Sequence, residues 1–192
     1  HNAENCMKYI LFTFISLLII CCAEGQVAFF NIDISVTKAD HQKGTMLQCA
    51  GSSLSMNFQL TQKAVTIQGN FVIVDSQVVQ ITPLKVSGTK KKLNTLTALE
   101  QKQFLSEYSQ YELDYFTNEL NIEIINPSNQ WVAVKSRNWF IWYFRVGNTP
   151  SQAGIENKVG TQLFASTIIG DQVLTLNAPI FENGDFNKAG LL

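Results

Sequence analysis

Histidine and cysteine, on which most nucleophilic, metal and redox sites draw, are nearly missing from this sequence. Of 192 residues two are His and four are Cys. His1, Cys6, Cys21 and Cys22 fall within the first 25 residues, leaving His41 and Cys49 for the remainder. A disulfide framework needs paired cysteines, a His-rich zinc site needs several imidazoles, and a Ser-His-Asp arrangement would have to use His41. His41 sits in polar "KADHQKG" and reads as a surface loop residue; Cys49, in "MLQCAG", reads as a small buried apolar side chain. The serines of "CAGSSLS" lack a G-x-S-x-G elbow, and neither a G-x-G-x-x-G run nor a P-loop occurs. Catalysis by carboxylates alone stays open on Asp75, Glu112, Asp114 and Glu119, the acid-residue hydrolase alternative, but nothing in their spacing places two of them across a cleft. The expectation is no enzyme, no metal and no cofactor.

Net charge is the second thing lacking. The chain carries 14 basic and 15 acidic residues, and setting aside Lys8, Glu4 and Glu24 in the first 25 positions leaves 13 of each. A nucleic-acid binder or a polybasic membrane binder carries a visible positive excess. The one basic cluster, "TKKK" at Thr89 to Lys92, follows "VSG" and reads as a solvated linker.

The long apolar stretch lies near the start. From Met7, "MKYILFTFISLLIICCAEGQ" has one positive charge at Lys8, an apolar run from Tyr9 to Ala23, then small Ala23 and Gly25. This is the layout of a secretory signal, and the run is shorter than the roughly 20 apolar residues a spanning helix needs. Residues 1–6 read as upstream or non-native sequence, residues 7–25 as a signal removed at about residue 25, and residues 26–192 as a single domain. The protein is expected to be secreted or periplasmic. Cys21 and Cys22, at the end of the run, offer the lipoprotein alternative; the membrane would then be touched only through the signal or that anchor.

After the leader, "AFFNIDISVT" and "SMNFQL" read as short strands, and "AVTIQGNFVIVDSQVVQITPLKV" as an antiparallel meander that Pro83 ends or places at a sheet edge. The pattern then changes. Thr97 followed by Glu100 is a capping box, and Phe104, Tyr108, Tyr111 and Tyr115 recur at helical spacing, as a stripe buried on a sheet does. Glu112, one turn from Tyr108 and Phe116, is expected to be solvated. Beyond Asn121 strands return: "IEII", a turn at Asn126 to Asn129, "WVAVK", then "WFIWYFRV" as a hairpin partner. Gly170-Asp171 separates two further β-rich runs, and "ENGDFNKAGLL" reads as the opening of a final helix that the chain cuts short. Strands in runs with helices set apart imply α+β, an antiparallel sheet with helices packed on it.

The closing "QLFASTIIGDQVLTLNAPIFENGDFNKAGLL", residues 162–192, resembles the end of the Mog1/PsbP-like α-β-α sandwich. There a hairpin ending in a Leu-x-x-x-Ala-Pro type segment leads into the last helix; the matching residues are Leu174, Asn177, Ala178 and Pro179, with Phe186 opening the helix. Element order extends the likeness over about residues 60–192, while its motifs lie within 161–192. The family includes a photosystem subunit, a small-GTPase binder and many secreted or envelope proteins. The resemblance implies an α-β-α sandwich and a non-enzymatic accessory or binding domain.

"NWFIWYF", Asn138 to Phe144, is the most apolar run after the leader, and in a strand Trp139, Ile141 and Tyr143 face one way while Phe140, Trp142 and Phe144 face the other. A strand between two layers is apolar on both faces for structural reasons. Tryptophan is also enriched at binding hot spots, which makes Trp131, Trp139, Trp142 and Tyr143 the candidate binding residues. A protein partner is the expected ligand, with a small apolar molecule in a pocket between helix and sheet as the alternative.

Overall fold

The computed structural model describes residues 27–41, 44–52, 54–61, 65–74, 77–134, 137–147 and 158–182. The expected signal, the lipid-acceptor candidates Cys21 and Cys22, Asp75, and the final helix expected from Asn183 lie outside the described residues.

Among the described residues, β-branched and aromatic runs form eleven strands: β1 (Ala28–Asn31), β2 (Ile34–His41), β3 (Gly44–Gly51), β4 (Ser55–Leu60), β5 (Val65–Gln68), β6 (Phe71–Val74), β7 (Gln77–Ser87), β8 (Ile124–Val134), β9 (Arg137–Val146), β10 (Val159–Ile169) and β11 (Gln172–Phe181). A 3-10 turn, Leu93–Thr95, precedes the one α-helix among the described residues, α1 (Ala98–Asn118). Eight strands form an antiparallel sheet in the order β5-β6-β7-β11-β10-β9-β8, with β1 also on β7; β2-β3-β4 make a second, three-stranded sheet. Alternating directions along β7-β11-β10-β9-β8 leave β7 and β8 parallel, and parallel strands need a crossover. That crossover is α1, laid across one face of the large sheet.

The expected α-β-α sandwich, the α+β fold of Mog1/PsbP-like proteins, is overturned. Among the described residues the fold is mostly β: one helix covers one face of the large sheet and a small sheet covers part of the other. Phe140, Trp142 and Phe144 of β9 join Leu105, Tyr108 and Phe116 of α1 in the helix-side core. On the opposite face Val36, Leu47 and Cys49 of the small sheet pack on Val65, Val72, Ile81 and Leu174 of the large one. Cys49 is 1% exposed, and burial pushes its thiol up to about 11. The expectation failed on the second layer because an outer sheet buries one face only. In β3 buried and exposed residues alternate, and in β4 they alternate between half-buried and exposed, so polar residues dilute the apolar signal.

Two turn signals are absorbed inside strands. Asn126 to Asn129 is a bulge in the continuous edge strand β8, with a register shift between Ile125 and Ser128 and Asn126 at φ 50°. Asparagine tolerates that left-handed backbone, and an edge bulge has no use for the missing proline N–H. Pro83 lies inside β7, which continues to Ser87. Its carbonyl accepts from the N–H of Ile32, and the N–H of Ile81 donates to the Asn70 carbonyl, so both residues face the edge shared by β6 and β1. β6 pairs with residues 77–80 and β1 with residues 84–87, so the absent donor falls in the gap between them. Gly170, at φ 59°, opens the two-residue β10–β11 turn expected at Gly170-Asp171.

Candidate functional site

Building α1 also builds the mouth of a cavity. The capping box forms: the Thr97 N–H donates to Glu100 Oε2 at 2.8 Å and the Glu100 N–H to Thr97 Oγ1 at 3.3 Å. Glu100 also takes a bond from Lys91 Nζ at 2.5 Å. The Lys91 bond first, and the Thr97 bonds after it, hold the Glu100 carboxyl down at about 2. One carboxylate therefore fixes the helix start and ties the "TKKK" loop to it.

Between the N-terminal half of α1, β1 and that loop lies a cavity of about 660 Å³. Its wall is aromatic: the Phe29 ring lies 5.0 Å from Tyr108, 6.1 Å from Phe104 and 6.2 Å from Tyr111, centroid to centroid. Val27, Leu93 and Leu96 complete the apolar lining. Polar groups gather at the mouth, from Gly88 to Lys91 on the loop and from Glu100, Gln103 and Glu107 on the helix. Gln103 Nε2 donates to Glu107 at 2.9 Å. Of the expected helical stripe, Phe104, Tyr108 and Tyr111 line this cavity. The deepest stripe on α1 is instead Leu105, Tyr108, Ser109, Glu112 and Phe116.

Glu112 is thus buried, 6% exposed, where a solvated side chain was expected. It accepts from the Tyr108 hydroxyl at one end of a polar chain crossing the helix-side core. Trp142 Nε1 donates to Ser166 Oγ at 3.4 Å, Ser166 and Thr175 hydroxyls are 3.1 Å apart, and Thr175 Oγ1 donates to the Tyr108 hydroxyl at 3.4 Å. An indole N–H only donates, so with Glu112 ionised the hydrogen bonds run one way, from Trp142 toward Glu112. Burial raises the Glu112 carboxyl to about 7, against the lowering effect of the Tyr108 bond. Burial first, and then the nearby Glu112 charge, raises Tyr108 well above and Tyr111 up to about 12.

The four candidate binding residues do not converge. Trp142 is 2% exposed and stacks on Phe164 at 3.9 Å and 6°. Trp131 is half-buried on the helix side, 4.9 Å from Phe140, with Lys102 Nζ 5.8 Å from its ring. Trp139 and Tyr143 are half-buried on the opposite face beside Ile141 and Leu176. Trp142 is thus a core residue where a contact residue was expected. Nor do the carboxylates form a pair across a cleft: Glu112 is buried in the core, Asp114 is exposed on α1, Glu119 is exposed just past its C-terminal end, and Asp75 is outside the described residues. Among the described residues no group of three or more His, Cys, Asp or Glu side chains comes together as a metal site would require. Sequence reasoning missed the role of Thr89, Lys90 and Lys91 at the cavity mouth. Their one available signal was position, between the meander and the capping box.

No family model, curated protein or solved structure matches this chain. The comparisons bear in neither direction on the resemblance to Mog1/PsbP-like proteins.

Proposed function

We propose that this is a non-catalytic binding domain that holds a small apolar molecule between helix and sheet. The cavity at α1, β1 and the "TKKK" loop carries this reading: about 660 Å³, aromatic within and polar at its mouth. Sites for small ligands are concave, largely apolar, and fall in the range of about 300–1,000 Å³ with a few polar groups to orient the guest. An exported carrier fits the leader-like residues 7–25, so secretion stays part of the proposal. A protein-docking face finds less support. The large apolar side chains exposed among the described residues are Phe30 on β1, Leu99 on α1 and Val134 on β8, one on each of three elements.

The test is binding of an uncharged solvatochromic dye, Nile red, by the protein and by Leu96→Trp, which adds bulk at the cavity wall. The expected result is saturable dye binding at micromolar concentration that Leu96→Trp weakens at least tenfold with the melting temperature retained. Equal binding by both proteins would move the ligand elsewhere, and no saturable binding would overturn the reading.

A further inference from the structure

The basic loop left unexplained by net charge lies at the mouth of an apolar cavity. Thr89, Lys90 and Lys91 all line it, and β7 delivers them there through Gly88 at φ 80°, a left-handed backbone that suits glycine. The charged groups around the opening are not equivalent. Glu100 is committed to Thr97 and Lys91, and Glu107 is bonded to Gln103. Lys91 is committed to Glu100, whereas Lys90 is exposed and makes no hydrogen bond or ion pair among the described residues. Among the described residues that line the cavity, Lys90 is therefore the one uncommitted cation.

We propose that the cavity takes a free long-chain carboxylate, its hydrocarbon chain against the Phe29, Phe104, Tyr108 and Tyr111 rings and its anionic head at the Lys90 ammonium. The inference rests on the cavity being the binding site and adds the class of ligand. The mixed lining supports an amphiphile over a wholly apolar guest, and Lys90, unpaired among the described residues, supports an anionic head. Among the described lining residues Lys90, Lys91 and Glu107 are exposed while Tyr108 is buried and Phe29 is 6% exposed, so a guest with one apolar and one charged end matches the wall. Glu100 is paired with Lys91; Glu107, bonded to the uncharged Gln103, keeps its charge, so tighter displacement of Nile red by dodecylammonium than by dodecanoate would overturn the choice of an anionic head. Lys91 is pinned to Glu100 and ties the loop to the helix start, while its neighbour Lys90 lines the cavity with its ammonium unpaired among the described residues. An exposed lysine contributes modestly and in a salt-dependent way, so the chain supplies most of the affinity and Lys90 the preference for an anion.

The test compares dodecanoate with 1-dodecanol, matched in chain length, in displacing Nile red from the protein and from Lys90→Ala and Lys90→Glu at low salt. Dodecanoate is expected to bind tighter than the alcohol. Lys90→Ala should lose about threefold and Lys90→Glu about tenfold toward dodecanoate, with dodecanol unchanged. Added salt should erase the difference. Equal affinity for acid and alcohol, or a Lys90→Glu variant that keeps the preference for the acid, would overturn the head-group assignment and leave the cavity as the site. If the dye binds and neither compound displaces it, the ligand class is wrong. If the dye itself fails to bind, the cavity reading fails first and this inference with it. Lys90 is exposed and makes no hydrogen bond or ion pair among the described residues, so its variants test binding and not folding.

Discussion

Replacing Glu112 with Gln should remove a pH dependence of stability that the wild-type protein carries. Glu112 is buried in the helix-side core, and its carboxyl is raised from 4.5 to about 7, by burial first and against the Tyr108 bond. A folded-state pKa above the unfolded value means that the folded protein holds the proton more tightly. The contribution is then fully present below about 4.5 and lost as pH rises through about 7. Each pKa unit corresponds to about 1.36 kcal/mol, so the wild type should lose roughly 2 to 3 kcal/mol between pH 5 and pH 8 from this group. For a chain of this size that is a fall of about 5 to 10 °C in melting temperature. Glutamine keeps an acceptor for Tyr108 but cannot ionise, so Glu112→Gln should lose that slope and be the more stable protein at pH 8. Urea unfolding of both proteins at pH 5 and pH 8 gives the difference of differences, in which groups common to both cancel. Parallel pH profiles would refute the argument that Glu112 is a buried, desolvated acid.

Trp142→Ala should destabilise the fold by about 3–5 kcal/mol, because it removes a buried ring stacked on Phe164 and the first donor of the polar chain; chemical denaturation measures it. Trp131→Ala, at a half-buried edge position, should cost clearly less in the same assay. Thr97→Ala should lower stability by about 1 kcal/mol through loss of the cap, and faster amide exchange at the first turn of α1 would report it. Gly44→Ala should destabilise more than a cap variant, since Gly44 has φ 129° and an added Cβ would sit 1.9 Å from the Leu60 carbonyl oxygen; its melting temperature checks this.

Helix and central hairpin were legible because their signals are local. The Thr97/Glu100 box marks the start of α1, Gly170-Asp171 marks the β10–β11 turn, and alternation along β9 assigns Phe140, Trp142 and Phe144 to one face. What stayed hidden depends on distant partners. Glu112 looks like any helical acid until β11 brings Thr175 to Tyr108 beside it. Pro83 reads as a strand end until β6 and β1 are seen to share one edge of β7. The sheet β2-β3-β4 is hard to read as a second layer because its strands bury a single face, and polar residues dilute the apolar ones in β3 and β4. For the site, the aromatic spacing on α1 was visible, but a stripe on a helix reads as core wherever nothing shows that part of it faces a cavity. The tryptophans stand out in composition, yet Trp142 serves the core, and Trp139 and Trp131 fall on opposite faces of the sheet. The "TKKK" loop gains meaning only when Phe29, from a strand roughly sixty residues earlier, closes the cavity beneath it.

The most direct test of the central claim, a carrier cavity between α1 and β1, is native mass spectrometry of the protein purified under mild conditions, followed by denaturation and analysis of what is released. The account expects a noncovalent adduct that leaves on denaturation and is diminished in Leu96→Trp. A bare polypeptide mass that stays bare after incubation with dodecanoate, in wild type and variant alike, would contradict it.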